Sequence, residues 1–460
     1  MENITNAIKN AAKNRIYNAL VCETFELAEK QALEAVKKGL TPFPIVIKDC
    51  FAVKDLPLTC ASNMLKNFKA PYTATVVDRL FKNGGCIIGK GNMDEFAMGA
   101  SSNDSIFGGV KNGFTKPEDL DNNWLIAGGS SGGSAVAVQL GIADVGIGSD
   151  TGGSSRNPAA FCGLVGFKPS FGALSRYGLV PLVNSLDCPS IIAKNVESTK
   201  NYFNMMRGIC KHDSTSFDSS LKKNKREKNK LRVGIPIEYF PDSLTEEAKN
   251  AINIVANIFD SMGYEIKHIS LPHTEYSIVC YHIINEVDVT SNMARYTGLF
   301  YGESTNYKIN ENILFANDWI ANNRTQNFNE TVKRRIFAGN YFTMKKQNRK
   351  HYIEALKVRR LIFNDFQNAF SNECDIILTP VTSSTPPSYK SYNEDKINCE
   401  RKDDYFTQSA NMAGIPAISL PAFKNQTNGI SLSVQLMMNF DMDDTLLDVS
   451  KLLEKYLSSL

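Results

Sequence analysis

Residues 127–170 read AGGSSGGSAVAVQLGIADVGIGSDTGGSSRNPAAFCGLVGFKPS. Glycine and serine are dense through 127–173, yet apolar residues continue between them. A low-complexity linker lacks those apolar residues. The stretch therefore reads as packed chain whose backbone approaches something closely, which glycine permits. Two turns stand out, AGGSSGGS at 127–134 and GSDTGGSSR at 148–156, each with a serine directly after paired glycines. A single turn of this kind is ordinary turn chemistry. Two within thirty residues are harder to dismiss.

The flanking sequence alternates between short apolar runs and helical patterns. Pro44-Ile-Val-Ile-Lys48 reads as a buried strand ending on a lysine, and Thr75 to Lys82 as a helix stopped by Gly84-Gly85. Cys86 to Gly89 is another buried strand, and residues 16 to 38 read as a helix with Gly39 past its end. Further on, Arg232-Val-Gly-Ile-Pro236 predicts a strand, and Ser243 caps a helix with Glu246 closing a capping box. Ala248, Ile252, Val255 and Phe259 line one face of that helix; Gly263 ends it and Tyr264 to Ile269 is the next strand. This is a βαβ unit. Tyr341 to Phe370 predicts one long helix, and Asp375 to Leu378 and Ile415 to Leu420 predict buried strands. The alternation predicts a single large α/β domain over 1–460.

Composition narrows the class. The chain has 460 residues, 43% hydrophobic and 22% charged, as soluble globular proteins do. No uninterrupted apolar run is long enough to span a bilayer. A net charge of +3 is too mild to argue for nucleic acid. The local exception is LKKNKREKNKLR at 221–232, read as a solvated linker or as an anion or RNA contact. Ten cysteines form no CxxC pair and five histidines lack metal-ligand spacing, so reduced buried thiols are expected and no metal. The first twenty residues fit a short presequence or an ordinary first helix.

Glycines before a serine leave successive backbone amides uncovered, and such amides can converge on a negative oxygen. Amide hydrolysis needs that for its tetrahedral intermediate. The amides of Thr151, Gly152, Gly153 and Ser154 suit this oxyanion role, and the Ser154 hydroxyl suits the nucleophile. A serine needs a base, but no histidine lies in or near either loop. Lys48 is the alternative, because a desolvated lysine loses pKa until it accepts a proton. On the residues alone, a lysine snorkelling at a strand end stays open beside it.

Three segments together resemble the amidase-signature enzymes: PIVIKD at 44–49, AGGSSGGSAVA at 127–137 and GSDTGGSSRNPAAFCGLVGFKPS at 148–170. The resemblance runs over most of the chain. It implies a central mixed β-sheet flanked by helices and a Ser–cis-Ser–Lys triad. Carried over, Ser154 is the nucleophile, Ser130 the bridging serine after a cis Gly129–Ser130 bond, and Lys48 the base. Ser154 follows Ser130 by 24 residues, the family's spacing.

GNMDEFAMGASSNDSIFGG at 91–109, RYGLVPLVNSLD at 176–187, HDSTS at 212–216, VKRRIFAG at 332–339 and NMAGIPAISLP at 411–421 resemble one branch of that family. The branch comprises the A subunits of glutamyl-tRNA(Gln) amidotransferases. It implies glutamine hydrolysis, with the ammonia passing to the B subunit, which amidates Glu-tRNA(Gln). It also implies a small third subunit. On the same resemblance, ATP and magnesium sit on the partner, with no cofactor in this chain. Glutamine recognition asks for a cation and an anion. The resemblance offers Arg335, with Arg334 next to it still open, Asp404, and Tyr281 in CYHII, within a glutamine-binding part over 275–421. Otherwise Arg335 and Asp404 are a surface ion pair and Tyr281 a core aromatic.

There are departures. Ala127-Gly-Gly stands where the family has Pro-Gly-Gly, and Ser155 where an aliphatic residue follows the nucleophile. After Asp187 the family's Gln-Ile-Gly-Pro is replaced by a shorter Cys188-Pro-Ser. The chain before Lys48 is about one helix short. These imply that the small third subunit is non-standard. They also imply a mitochondrial-matrix protein of fungal type, with a cytoplasmic one as the alternative. Three rivals remain: a stand-alone amidase for another small amide, a nucleotide binder through GGCIIGK at 84–90, and a non-catalytic scaffold.

Overall fold

The computed structural model describes residues 1–219, 231–304, 316–424 and 429–459. Nearly all of the basic run 221–232 lies outside them. Among the described residues, eleven strands form one mixed sheet. In chain order they are β1 (Leu20–Glu23), β2 (Phe43–Lys48), β3 (Gly85–Gly91), β4 (Val145–Ser149), β5 (Val165–Lys168) and β6 (Pro189–Ala193). Then come β7 (Arg232–Pro236), β8 (Glu265–Ile269), β9 (Ile376–Pro380), β10 (Ala417–Lys424) and β11 (Ser431–Met437). The spatial order is β1-β3-β2-β4-β6-β5-β10-β11-β9-β7-β8.

β2 runs parallel to both β3 and β4, and β7 runs parallel to β8 and β9, whereas the central pairs β4–β6, β5–β6, β5–β10, β10–β11 and β11–β9 are antiparallel. A strand covered on both faces reads as a continuous apolar run, and β2 is buried at all six positions. Ile45 and Ile47 point into one core cluster and Val46 into another across the sheet, the period-two alternation of a strand. The second cluster is completed by Ala28 and Ala32 and by Ile4, Ala7 and Ala11 of the helix Glu2–Lys13. The first residues therefore pack as an ordinary helix of the fold.

Four expectations shift. The helix over 16–38 is Phe25–Lys37 alone. Asn18 turns left-handed at φ 56°, and Leu20–Glu23 leaves to pair with β3. The 246–261 helix is capped by Thr245, whose hydroxyl accepts from Ala248 N, and not by Ser243. The predicted long helix is broken: Glu330–Thr343 ends at Met344, whose ψ of 139° is extended, and Tyr352–Asn368 follows. The GGCIIGK stretch is a buried strand whose Lys90 pairs with Asp49 at 2.8 Å and donates to Pro57 O. It is no phosphate cradle, and the nucleotide reading falls with it.

Candidate active site

Parallel strands present their carboxyl ends on one edge, where ligands gather in open α/β sheets. β2 and β4 are neighbours in register, Ile47 opposite Ile147, so Lys48 and Ser149 emerge side by side. The turn 150–155 follows Ser149, and the serine pair 130–131 precedes the helix Gly132–Gln139 that packs on these strands. The Gly129–Ser130 peptide bond is cis.

Lys48 is fully buried. Its Nζ donates to three hydroxyl oxygens: Ser130 Oγ at 2.7 Å, Ser131 Oγ at 2.9 Å and Ser149 Oγ at 2.9 Å. This lysine does not snorkel. Burial lowers its pKa, against the opposing pull of Cys50, Asp94, Asp150 and Asp187. Ser154 keeps partial exposure inside an otherwise buried turn. Its carbonyl accepts from Ser131 N at 3.0 Å, which ties the two serine loops together. Its hydroxyl has no hydrogen-bond partner among the described residues. Lys48 and Ser130 are thus joined, and the link from Ser130 to Ser154 is open in the free chain. Such contacts commonly tighten only with substrate in place.

The turn is held by a buried ion pair that the sequence reading passed over. Arg156 Nη2 meets Asp150 Oδ1 at 2.8 Å and Arg156 Nε meets Oδ2 at 3.0 Å. The rest of the guanidinium donates to Gln435 Oε1, Asn411 Oδ1 and Thr407 O. Burial alone would raise the Asp150 carboxyl, but Arg156 carries it well below the ordinary range. Asp150 also receives Gly153 N at 2.8 Å. That corrects one expectation: the Gly153 amide is already committed, while the Thr151, Gly152 and Ser154 amides have no partner among the described residues. Thr151 is braced by its hydroxyl on Asp187 at 2.8 Å, and Gly152 O by Thr407 Oγ1. The signal was present: Asp150 and Arg156 are the charges flanking the glycine turn.

The far wall comes from three helices. Tyr281, on Ser277–Met293, lies directly over the turn: a Cβ on Gly152 would stand 2.8 Å from its ring, so only glycine fits. Arg335, on Glu330–Thr343, is half-buried and reaches Asn285 Oδ1 at 3.3 Å, whereas Arg334 is exposed. Asp404 ends the helix Lys396–Asp404. Burial raises its carboxyl to about 8, with Glu400 adding to the rise and Arg335 opposing it. The Tyr281 hydroxyl is raised by burial, and both Arg335 and Asp404 act on it. The structure therefore brings Tyr281, Arg335 and Asp404 to one place. Neither charge belongs to an ion pair among the described residues, so the surface-pair alternative fails. Asn285 lies alongside the Tyr281 hydroxyl and the buried Gln408 amide alongside Asp404, neither Asn285 Nδ2 nor the Gln408 amide with a hydrogen bond of good geometry.

Comparison with known proteins gives the family and the fold. A family model described as Amidase matches residues 2–447. The mitochondrial A subunit of the glutamyl-tRNA(Gln) amidotransferase of Homo sapiens is 42% identical over 471 residues, covering 96% of this chain and 88% of that protein. The protein of the same name from Pediculus humanus subsp. corporis is 43% identical over 470 residues, covering 98% and 94%. Among solved structures, the glutamyl-tRNA(Gln) amidotransferase A subunit from Thermotoga maritima matches with a TM-score of 0.73 and 28% identity, covering 98% of this chain and 94% of that one.

Proposed function

The chain belongs to the amidase family, and from that premise we propose that it is the glutamine-hydrolysing A subunit of a glutamyl-tRNA(Gln) amidotransferase. The observation that carries the substrate is that Arg335 and Asp404, in no ion pair among the described residues, both act on Tyr281, which lies over the nucleophile turn. An amino acid brings a carboxylate for one and an ammonium for the other. A neutral aliphatic amide needs neither, which argues against a stand-alone amidase of that kind. Arg335, not Arg334, takes the carboxylate.

In this reading Ser154 attacks the side-chain amide while its proton passes to Ser130 and that of Ser130 to Lys48. Desolvation lowers the Lys48 pKa and so favours the neutral amine that accepts this proton. The amides of Thr151, Gly152 and Ser154 receive the oxyanion, a role worth about 3–4 kcal/mol per donor. The returned proton leaves with ammonia, and water then releases glutamate. ATP and magnesium belong to the B subunit, which amidates Glu-tRNA(Gln), with a small third subunit completing the complex. Such a chain is a mitochondrial protein like the Homo sapiens and Pediculus humanus subsp. corporis subunits named above, and the matrix is its compartment.

The test is ammonia release by the complex purified with its own partners, from glutamine and from simple aliphatic amides, with and without Glu-tRNA(Gln). Glutamine should be preferred by orders of magnitude. Preference for the aliphatic amides would remove the assignment.

A further inference from the structure

Beyond Lys48 lies a chain of buried hydroxyls. Ser131 Oγ stands 3.2 Å from Ser155 Oγ, and Ser155 Oγ stands 2.5 Å from Ser190 Oγ. Ser131, Ser155 and Ser190 are all fully buried. Ser155 is at the cap position of the helix Arg156–Phe161, yet its hydroxyl makes no capping bond and turns toward Ser190 instead. Gly148 leaves the space: a Cβ there would stand 2.3 Å from Ser155 Oγ and 2.9 Å from Ser131 Oγ. Ser155 and Ser190 both fall where this sequence departs from the amidase pattern, after the nucleophile and after Asp187.

We infer that Ser155, backed by Ser190, is a positioning residue for Lys48, acting through Ser131. The inference rests on the reading of Lys48 as the base. Proton accounting leads to it. Ser130 must donate to Nζ when Lys48 is the base, so Ser131 and Ser149 take the two remaining N–H groups. Ser131 Oγ, accepting from Lys48, must send its own proton onward. Its acceptors are Ser155 Oγ at 3.2 Å and Ser149 O at 3.3 Å. Ser155, when it accepts from Ser131, is left to donate to Ser190 over the shortest link in the chain, in preference to Ser149 O at 3.4 Å. Hydrogen bonds aligned in this way polarise one another. The Ser131 oxygen becomes a better acceptor, which steadies the ammonium that forms on Lys48 during acylation. Around Lys48 the other titratable groups are Cys50, Asp94, Asp150 and Asp187; Asp150 accepts from the Ser155 amide at 3.3 Å and Cys50 meets Ser149 Oγ at 3.8 Å, but neither bonds the hydroxyls of Ser131, Ser155 or Ser190.

The experiment is the pH–rate profile of glutamine hydrolysis by the intact complex, with Ser155→Ala, Ser190→Ala and Lys48→Met compared to the wild type. Without Ser155 the ammonium loses support. The acidic limb of kcat at saturating glutamine, where Lys48 must be neutral and Asp404 is already ionised against the bound ammonium, should then move to lower pH by about half a unit or more. The plateau should fall several-fold, because the base is weaker. Ser190→Ala should shift the limb in the same direction by less, and it carries the test if Ser155→Ala does not fold. A purely structural role would lower the plateau and leave the limb in place, and that result in the folded variants overturns the inference. If Lys48→Met retains the wild-type rate, the base itself is misassigned and the inference falls with it; that outcome is distinct from an unmoved limb.

Discussion

The floor and the far wall of this site are built on opposite principles. On the floor, Lys48 has three hydroxyl partners and Arg156 meets Asp150, Gln435, Asn411 and Thr407. Every charge there is answered by the protein itself. On the wall, Arg335 and Asp404 face the same tyrosine without pairing, and Asn285 Nδ2 and the Gln408 amide lack good partners. Buried polar groups are normally satisfied. A floor whose charged side chains are already satisfied, leaving only the nucleophile and the oxyanion amides open, is pre-organised for chemistry, whereas the unsatisfied side chains of the wall are completed by a ligand. Floor substitutions should therefore damage rate or stability, and wall substitutions should damage affinity.

The largest effect tests the floor's chemistry. Ser154→Ala should lower glutamine hydrolysis by at least about 10³-fold, measured as ammonia release. Because the Ser154 hydroxyl is partly exposed and makes no hydrogen bond among the described residues, the melting temperature should move by no more than about 2 °C. Retained activity would place the nucleophile elsewhere. Arg156→Met comes next, read by denaturant titration. It leaves Asp150 charged and buried with its cation gone, a loss of about 3–5 kcal/mol. A stability change below about 1 kcal/mol would mean that the floor is not the rigid half.

The contrast also explains what could be read from sequence. The continuous run at 44–48 and the glycine–serine turns are local patterns, so β2, the α/β class and Ser154 as a candidate nucleophile were legible, whereas Ser130, and the choice of Lys48 as base over a snorkelling lysine, came from the family resemblance. The wall was legible only through family resemblance. Tyr281, Arg335 and Asp404 lie on three separate helices, and nothing in their spacing brings them together. The commitment of the Gly153 amide was not legible, since it depends on where Asp150 turns its carboxylate. Nor was the division of 16–38, where pairing with β3 overrides helical periodicity. The break at Met344 follows from backbone geometry that periodicity does not register.

Two wall predictions sharpen the comparison. Arg335→Met should raise KM for glutamine by about tenfold or more, the worth of one charge-assisted hydrogen bond, with the denaturation midpoint unchanged. A loss of stability instead of affinity would make Arg335 part of the floor. The pH effect is gentler. Asp404, raised to about 8, is mostly neutral in the free chain below that pH. The ammonium of glutamine favours the carboxylate, so binding below about pH 8 must release a proton. KM should climb as pH falls, by at most about tenfold per unit. Asp404→Asn should have a higher KM and no such slope. A slope that survives in Asp404→Asn would assign the proton to another group.

The smallest expected effect separates neighbours. Successive helix positions diverge by about 100°, so Arg334 and Arg335 cannot share a direction. Arg334 is exposed, whereas Arg335 is half-buried and bonds Asn285. Arg334 does reach the wall electrostatically: together with Arg335 it acts on His282, held near 3 chiefly by burial, and on Glu286. Exposed charges, however, are screened over about 8–10 Å at ordinary salt. Arg334→Ala should therefore change KM by less than about twofold, and added salt should shrink even that. If Arg334→Ala instead matches Arg335→Met, the carboxylate binds on the outer face of the helix. The unpaired wall would then not be the part of the molecule that waits for glutamine.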